Sequence, residues 1–146
     1  MTPLLLAAVF LVAATAAGLL LRRRNGRIRP SDPAKSARAS LLAGAGVGAG
    51  VPVVLHFSAT WCGPCAAVRR VVAAVTADLA DSPAPPLDVE LDIDAEPDLA
   101  RELNVLSLPT TFVFDGAGQE RFRISGVPKA AELRSALSPL ADRKAA

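Results

Sequence analysis

The pattern of hydrophobic and polar positions becomes regular at Val51, after a stretch dominated by Ala and Gly. Residues 53–57 form a short apolar run of the type found in buried strands. Val68, Val71, Val72, Val75 and Leu79 then recur at the spacing of one helix face. A Pro-rich break at residues 82–86 ends this predicted helix. The pattern therefore predicts a buried strand followed by an amphipathic helix.

Shorter elements follow in the same order. Residues 87–93 alternate as a strand, 97–103 suit a short helix that begins with Pro, 110–114 form a third strand and 120–124 a fourth. A turn at residues 115–118 joins the last two strands, and Leu133, Leu137 and Leu140 mark a final helix. The order β, α, β, α, β, β, α predicts an α/β fold, with a mixed sheet, helices on both faces and parallel first strands.

The N-terminal region has a different character, because residues 3–21 are mostly Leu, Ala and Val and carry no charged side chain. As a helix they would span ~28 Å, against ~30 Å for the hydrocarbon core of a bilayer. Two other interpretations are a cleaved secretory signal and a buried soluble helix. Both fit less well, because no basic residue precedes the run and a cluster of arginines follows it at once. We predict a single transmembrane helix over residues 1–21.

The same arginines predict the orientation and the domain boundaries. Arg22, Arg23, Arg24, Arg27 and Arg29 all follow the predicted span. Basic residues close to a span favour the cytoplasmic side, so we expect a single-pass membrane protein whose C-terminal domain is cytoplasmic. Residues 22–50 contain Pro and then several Gly among Ala, which predicts a basic, then Gly/Ala-rich linker. The folded domain is predicted over residues 51–146.

The length and the charge distribution of the chain exclude some classes of function. The 146 residues allow one compact domain with appendages. Residues 1–50 carry seven Lys or Arg and one acidic residue, whereas residues 51–146 carry nine Lys or Arg and thirteen Asp or Glu. Nucleic-acid binding would require a basic patch with aromatic platforms on the folded domain. We therefore expect no nucleic-acid partner.

The two cysteines, Cys62 and Cys65, stand where the first strand gives way to the long helix. Backbone N–H groups and the helix dipole at such a position favour a thiolate, which makes Cys62 the expected nucleophile. The second sulfur lies one turn farther on, where it can resolve a mixed disulfide. A structural disulfide would close too small a loop to stabilise much, and zinc would find only His56 as a further ligand of its usual kind. CxxC at a strand–helix junction is typical of a redox site.

The string Trp61-Cys62-Gly63-Pro64-Cys65 resembles the signature of the thioredoxin family, and the resemblance extends over about residues 51–141. Further matches are Phe57 with Ala59, residues 91–94, residues 108–110 and Gly126. The resemblance implies a thioredoxin-like fold in which Pro109 is a cis-proline that faces the cysteines. It also implies a substrate-binding surface formed by Trp61, Gly63, Pro64, Leu108, Pro109 and Gly126.

Two departures from the family pattern concern the proton chemistry of the resolving thiol. Typical thioredoxins carry a buried aspartate six positions before the first cysteine and a lysine in the neighbouring strand. Here these positions hold His56 and Glu90. We identify this pair as a candidate proton relay to and from Cys65. The alternative is a partly buried histidine that only pairs with Glu90 or with a backbone carbonyl.

Taken together, these features predict a membrane-tethered protein-disulfide reductase that exchanges disulfides with protein partners. Its electrons must come from a reductase or another dithiol, because the chain has no nicotinamide or flavin fingerprint, and we expect no bound cofactor. One alternative places the same chemistry outside the membrane, on envelope or cytochrome c maturation disulfides. Another is a binding module of related fold in which Cys62, Cys65 and His56 hold copper or zinc.

Overall fold

The computed structural model describes residues 33–143, together with Ala13 and Thr15 in the N-terminal region. The chain divides into two units, Met1–Asp32 and Pro33–Ala146, and the second contains every element discussed here. In chain order these are α1 (Pro33–Gly44), β1 (Val53–Ser58), α2 (Cys65–Asp78), β2 (Leu87–Asp92), α3 (Pro97–Glu102), β3 (Thr110–Phe114), β4 (Glu120–Ser125) and α4 (Ala130–Ala141). From β1 onward this confirms the predicted order of strands and helices.

The four strands form one mixed sheet in the order β2-β1-β3-β4. β1 runs parallel to β2 and antiparallel to β3, and β3 runs antiparallel to β4. The parallel pair follows from the sequence, since β1 and β2 are joined through a helix, whereas β3 and β4 are joined by a tight turn. The register places His56 beside Glu90 on one side and beside Thr111 on the other.

Successive residues of each strand point to opposite faces of the sheet, and the two faces bury separate clusters. We call them the α1/α3 face and the α2/α4 face. The α1/α3 face buries Val53, Leu55, Phe57, Phe112 and Phe114 against Leu42, Leu99 and Leu103. The α2/α4 face buries Val54 and Val113 against Val68, Val72, Val75, Leu133 and Leu137. Helices therefore cover both faces, as the sequence predicts.

The second half of the predicted linker differs from the expectation. Residues 33–50 contribute α1 and a turn, and Leu42 and Val47 belong to the core of the α1/α3 face. The glycines that suggested a tether form this turn instead: Gly46, Gly48 and Gly50 adopt positive φ, which is easy only for glycine. The amide of Gly50 also donates to the carbonyl oxygen of Gly116 at 3.0 Å. The folded unit thus begins before Val51.

The predicted transmembrane helix falls on the N-terminal unit. Apart from Ala13 and Thr15, residues 1–21 lie outside the described part of the chain, as do residues 22–32 of the predicted linker. In the part that is described, no helix combines the length and the apolar character needed to cross a bilayer.

Candidate active site

The segments that carry the predicted substrate-binding residues and the cysteines lie at one end of the sheet. Phe57 near the end of β1 lies opposite Thr110 at the start of β3, and Thr110 lies opposite Ser125 at the end of β4. The segments that continue from these ends carry the cysteine motif at residues 61–65, the Leu108–Pro109 pair, and Gly126. The sheet topology thus brings together at one edge three segments that are far apart in sequence.

The two sulfurs are joined in a disulfide, with an S–S distance of 2.04 Å and a Cα–Cα distance of 5.5 Å. They differ sharply in exposure: Cys62 is half-buried, whereas Cys65 is only 1% exposed. α2 begins at Cys65 with Pro64 at the preceding cap position, and the Cys65 amide donates to the Cys62 carbonyl oxygen at 3.3 Å. The Sγ of Cys65 lies 4.0 Å from the carbonyl oxygen of Phe57. A partner can therefore approach Cys62 but not Cys65.

At this same end of the sheet, the Leu108–Pro109 peptide bond is cis, in agreement with the resemblance. The carbonyl oxygen of Pro109 accepts a hydrogen bond from the Gly126 amide at 2.8 Å. Gly126 has a φ of +87°, a conformation that side chains with a Cβ rarely adopt, and a Cβ there would meet nothing within 4 Å. The backbone conformation, and not lack of space, therefore accounts for glycine at this position.

Exposed apolar side chains border this end of the sheet. Trp61 is 70% exposed, Leu106 is 86% exposed and Val127 is 44% exposed. The indole N–H of Trp61 donates to the Oδ2 of Asp94 at 3.3 Å, which fixes one end of the ring. Leu106, Val127 and Asp94 were not among the predicted site residues, because single apolar or acidic residues in loops carry no signal in one sequence.

His56 lies beneath α2 with its ring almost wholly buried, but its partner is not the predicted one. Its Nε2 is 3.1 Å from the Oδ1 of Asp88. Glu90 instead accepts two hydrogen bonds from the Nε of Arg69 in α2, at 2.7 and 2.8 Å. Sequence reasoning missed Asp88 because the alternation of β2 places Asp88 and Glu90 on the same face, and only side-chain geometry decides which of them reaches the ring.

The pKa of Glu90 lies below its ordinary value. Burial acts to raise it, but hydrogen bonds from Ser58 and Arg69, together with the charges of Arg69 and His56, outweigh that effect. Glu90 is thus held as a carboxylate by its surroundings. The part of the chain described by the structure contains no group of three or more His, Cys, Asp or Glu side chains arranged to hold a metal ion.

In a comparison with protein families, residues 47–139 match the family model described as Thioredoxin. The chain belongs to the thioredoxin family. The thioredoxin of Mycolicibacterium smegmatis is 39% identical over 89 residues, which is 60% of this chain and 78% of that protein. Among solved structures, mitochondrial thioredoxin 3 from Saccharomyces cerevisiae in its oxidised form has a TM-score of 0.57 at 26% identity, covering 68% of this chain and 90% of that one.

Another relative is much longer than this chain, which matches only a small part of it. The bifunctional thioredoxin reductase/thioredoxin of Mycobacterium leprae (strain TN) is 46% identical over 85 residues, which is 57% of this chain but only 18% of that protein. The thioredoxin relatives support thiol–disulfide oxidoreductase activity, and the Cys62–Cys65 disulfide of the structure is the oxidised form of the redox pair that this activity needs.

Proposed function

We propose that this thioredoxin-family protein is a membrane-tethered protein-disulfide reductase whose domain faces the cytoplasm. Cys62 is its nucleophile and Cys65 its resolving thiol. The observation that carries this assignment is the unequal exposure of the two cysteines, since Cys62 before α2 is half-buried and Cys65 at its first position is 1% exposed. A sulfur that must meet a partner has to be accessible, whereas one that acts second needs only to reach the first.

The exchange balances over two steps. The Cys62 thiolate attacks a partner disulfide, forms a mixed disulfide and expels one partner thiolate, which takes up a proton. The Cys65 thiol then loses its proton and attacks the Sγ of Cys62, so that the protein disulfide forms and the second partner thiolate leaves and is protonated. Two electrons pass to the partner, and a reductase or another dithiol must return them to Cys62 and Cys65.

The partners of this reaction are proposed on two grounds. An extended segment of the substrate would dock on a surface beside the cysteines. This surface would consist of Trp61, Gly63, Pro64, Leu108, Pro109 and Gly126. The relative from Mycobacterium leprae, a bifunctional thioredoxin reductase/thioredoxin, supports a reductase as electron donor. No bound cofactor is required of this chain for thiol exchange.

The tether and its orientation rest on the sequence. The apolar run at residues 3–21 and the arginines after it support a single span with the domain in the cytoplasm. A tether would raise the concentration of the domain near membrane substrates without any new contact. Fusions of alkaline phosphatase and of a fluorescent protein to the C-terminus test the orientation, and strong phosphatase activity would place the domain outside the membrane.

His56 is proposed as the base that takes the proton of Cys65. Both side chains are almost wholly buried, and His56 directly precedes Phe57, whose carbonyl oxygen lies 4.0 Å from the Cys65 Sγ. Water has poor access to such a thiol, so a nearby imidazole is the suitable acceptor. Glu90 is left out of this proposed transfer, because both of its carboxylate oxygens accept from Arg69.

The experiment that tests the function is insulin reduction by the full-length protein with dithiothreitol as electron source, followed by partner trapping. We expect the wild type to reduce insulin and Cys62→Ser to lose all activity. Cys65→Ser should trap partners as mixed disulfides, because nothing then resolves them. Trapping by Cys62→Ser and not by Cys65→Ser would reverse the assigned roles, and an inactive, folded wild type would contradict the proposed function.

A further inference from the structure

We propose that Asp88 is a positioning residue for His56: its carboxylate fixes the proton on one ring nitrogen and so leaves the other free to accept the proton of Cys65. The inference rests on the proposed function, because it assigns a partner to the base of the same site. It also separates the roles of two carboxylates on β2, Asp88 and Glu90, that the sequence does not distinguish.

The first argument is the hydrogen bond itself. The Nε2 of His56 lies 3.1 Å from the Oδ1 of Asp88. An ionised carboxylate can only accept a hydrogen bond, so Nε2 must be the nitrogen that carries the hydrogen. In the neutral ring Nδ1 then has the free lone pair. A carboxylate that selects the tautomer of a catalytic histidine plays this same part in serine hydrolases.

The second argument is the difference in burial between the two partners. The side chain of His56 is 2% exposed, whereas that of Asp88 is 34% exposed. β2 is an edge strand, so Asp88 lies at the margin of the sheet, and the partner docks at the end of the sheet that carries Cys62. Asp88 therefore connects a buried base to solvent at a place that a bound partner need not cover.

The third argument is that the neighbouring charges already have partners. From α2, Arg69 binds Glu90 through both carboxylate oxygens, Asp78 pairs with Arg134 of α4, Arg70 is exposed, and Cys65 is buried. From β2, Asp92 shares the face of Asp88 and accepts a hydrogen bond from the amide of Asp94 at 2.8 Å. The two carboxylates thus have different partners, Arg69 for Glu90 and the His56 ring for Asp88.

β3 adds an uncharged polar group to the same layer. Thr111 lies beside His56 across the β1–β3 pair, and its Oγ1 is buried without a hydrogen-bond partner among the described residues. A buried hydroxyl usually has a protein or water partner. This layer therefore offers a further polar atom close to a proton that moves between thiol and imidazole.

The step assigned to this arrangement is the resolution of the mixed disulfide. The Cys65 thiol gives its proton to the Nδ1 of His56, and the resulting thiolate attacks the Sγ of Cys62. The Cys62–Cys65 bond forms, the bond to the partner breaks, and the partner thiolate leaves with the electron pair and takes a proton from water. The imidazolium, held by the Asp88 carboxylate, then returns its proton to solvent.

The test compares Asp88→Ala with Glu90→Ala in the full-length, reduced protein. The two carboxylates come from the same face of β2 and have the same exposed side-chain fraction, 34%, so the loss of an edge carboxylate is common to both variants. His56 is the only histidine of the chain, so its ring nitrogens give the only imidazole ¹⁵N signals. At a pH where the ring is neutral, we expect the Nε2–H tautomer in the wild type and in Glu90→Ala, and a mixture in Asp88→Ala.

A kinetic measurement adds a second readout. We expect Asp88→Ala to slow resolution of a mixed disulfide with thionitrobenzoate at least about tenfold at pH 7, since a general base contributes about 10²- to 10⁴-fold when well placed. Attack by Cys62, measured in the Cys65→Ser background, should not change, and Glu90→Ala should stay within about twofold. Asp88→Asn, which keeps the shape of the side chain without its charge, should also slow resolution and carries the test if the alanine variant unfolds.

Each contrary result has one meaning. If Asp88→Ala keeps the wild-type tautomer, or if both uncharged variants at residue 88 resolve at the wild-type rate, Asp88 is not the positioning residue. If Glu90→Ala has the same effects as Asp88→Ala, the effect is one of general charge and the inference is again wrong. If the wild type reduces no disulfide, the proposed function fails, whereas the tautomer measurement still decides the role of Asp88.

Discussion

Each of the two faces of the sheet buries a hydrophobic cluster, but the two faces contain different chemistry. The α1/α3 face is mainly apolar, with Phe57, Phe112 and Phe114 at its centre, and the buried Thr110 adds a polar side chain at the start of β3. The α2/α4 face combines valines and leucines with the buried polar side chains of His56, Ser58 and Thr111. The active-site disulfide joins this second face, because Cys65 opens α2.

This difference shows how a small domain can hold reactive groups without losing its fold. Burying a polar group costs free energy unless a hydrogen bond compensates it, so polar groups are a poor basis for stability. The mainly apolar α1/α3 face supplies hydrophobic packing that offsets the cost of the polar layer under α2. We therefore expect stability and exchange chemistry to respond to substitutions on different faces.

The largest effect on stability is expected for Phe112→Ala on the α1/α3 face. Phe112 is fully buried, its ring centroid lies 6.2 Å from that of Phe57 and 6.1 Å from that of Phe114, and Arg123 lies over it at 4.6 Å. Removing it leaves a cavity that rigid neighbours fill poorly, so we expect the free energy of unfolding to fall by about 3–5 kcal/mol. Urea unfolding at pH 7 measures this change.

The matched control for Phe112→Ala is Phe122→Ala on β4, where the ring is 46% exposed. Its loss should be clearly smaller, since an exposed ring leaves no cavity. Equal losses for the two phenylalanines, or a loss below about 1 kcal/mol at Phe112, would contradict the view that the α1/α3 face carries the stability of the domain.

A smaller effect on stability, with a large effect on exchange, is expected for His56→Leu on the α2/α4 face. Leucine fills the space without a polar group, and the Asp88 that it leaves behind is one-third exposed and stays hydrated. A pair with a partly exposed carboxylate contributes about 0–1 kcal/mol, so its loss costs little. We expect the free energy of unfolding at pH 7 to fall by no more than about 1 kcal/mol, while resolution of the mixed disulfide slows.

The control for His56→Leu is Leu55→Ala, at the preceding residue of β1, whose side chain points to the α1/α3 face. Here we expect the reverse: a loss of about 2–5 kcal/mol with little change in the exchange rate of the folded protein. A loss of more than about 2 kcal/mol for His56→Leu would show that the imidazole is needed for packing.

The sequence predicts features that depend on a local pattern of residues, and it does not predict features that depend on contacts between distant elements. The elements from β1 to α4 follow from periodicity and turn residues, since these record which face of each element is buried. Residues 33–50 were predicted to be a linker because Gly and Ala dominate them; the burial of Leu42 and Val47 depends on α3 and on the sheet, which no local pattern shows. The cysteine motif is local and was found, whereas the pairing of His56 with Asp88 depends on side-chain geometry between strands.

The smallest expected change in the free energy of unfolding is that of Glu90→Gln, and this change depends on pH. Burial raises the pKa of this carboxyl, but the hydrogen bonds from Ser58 and Arg69 and the nearby positive charges lower it below the ordinary value of 4.5. A group whose pKa is lower in the folded state stabilises the fold above its unfolded pKa, and this contribution is lost as the pH falls through the folded value. Glu90→Gln should therefore reduce stability at pH 7 and have progressively less effect below about pH 4.5.

The expected size is a few tenths of a kcal/mol at pH 7, because the Arg69–Glu90 pair is partly exposed and solvent screens it. Urea unfolding between about pH 3 and 7 measures the difference between the two proteins. Asp98→Asn is the control, since Asp98 forms an i,i+3 pair with Arg101 in which both side chains are largely exposed. Its unfolding curves should match those of the wild type throughout. A difference between wild type and Glu90→Gln that grows towards acid pH would contradict the prediction, because a carboxylate held by Arg69 can stabilise the fold only while it is ionised.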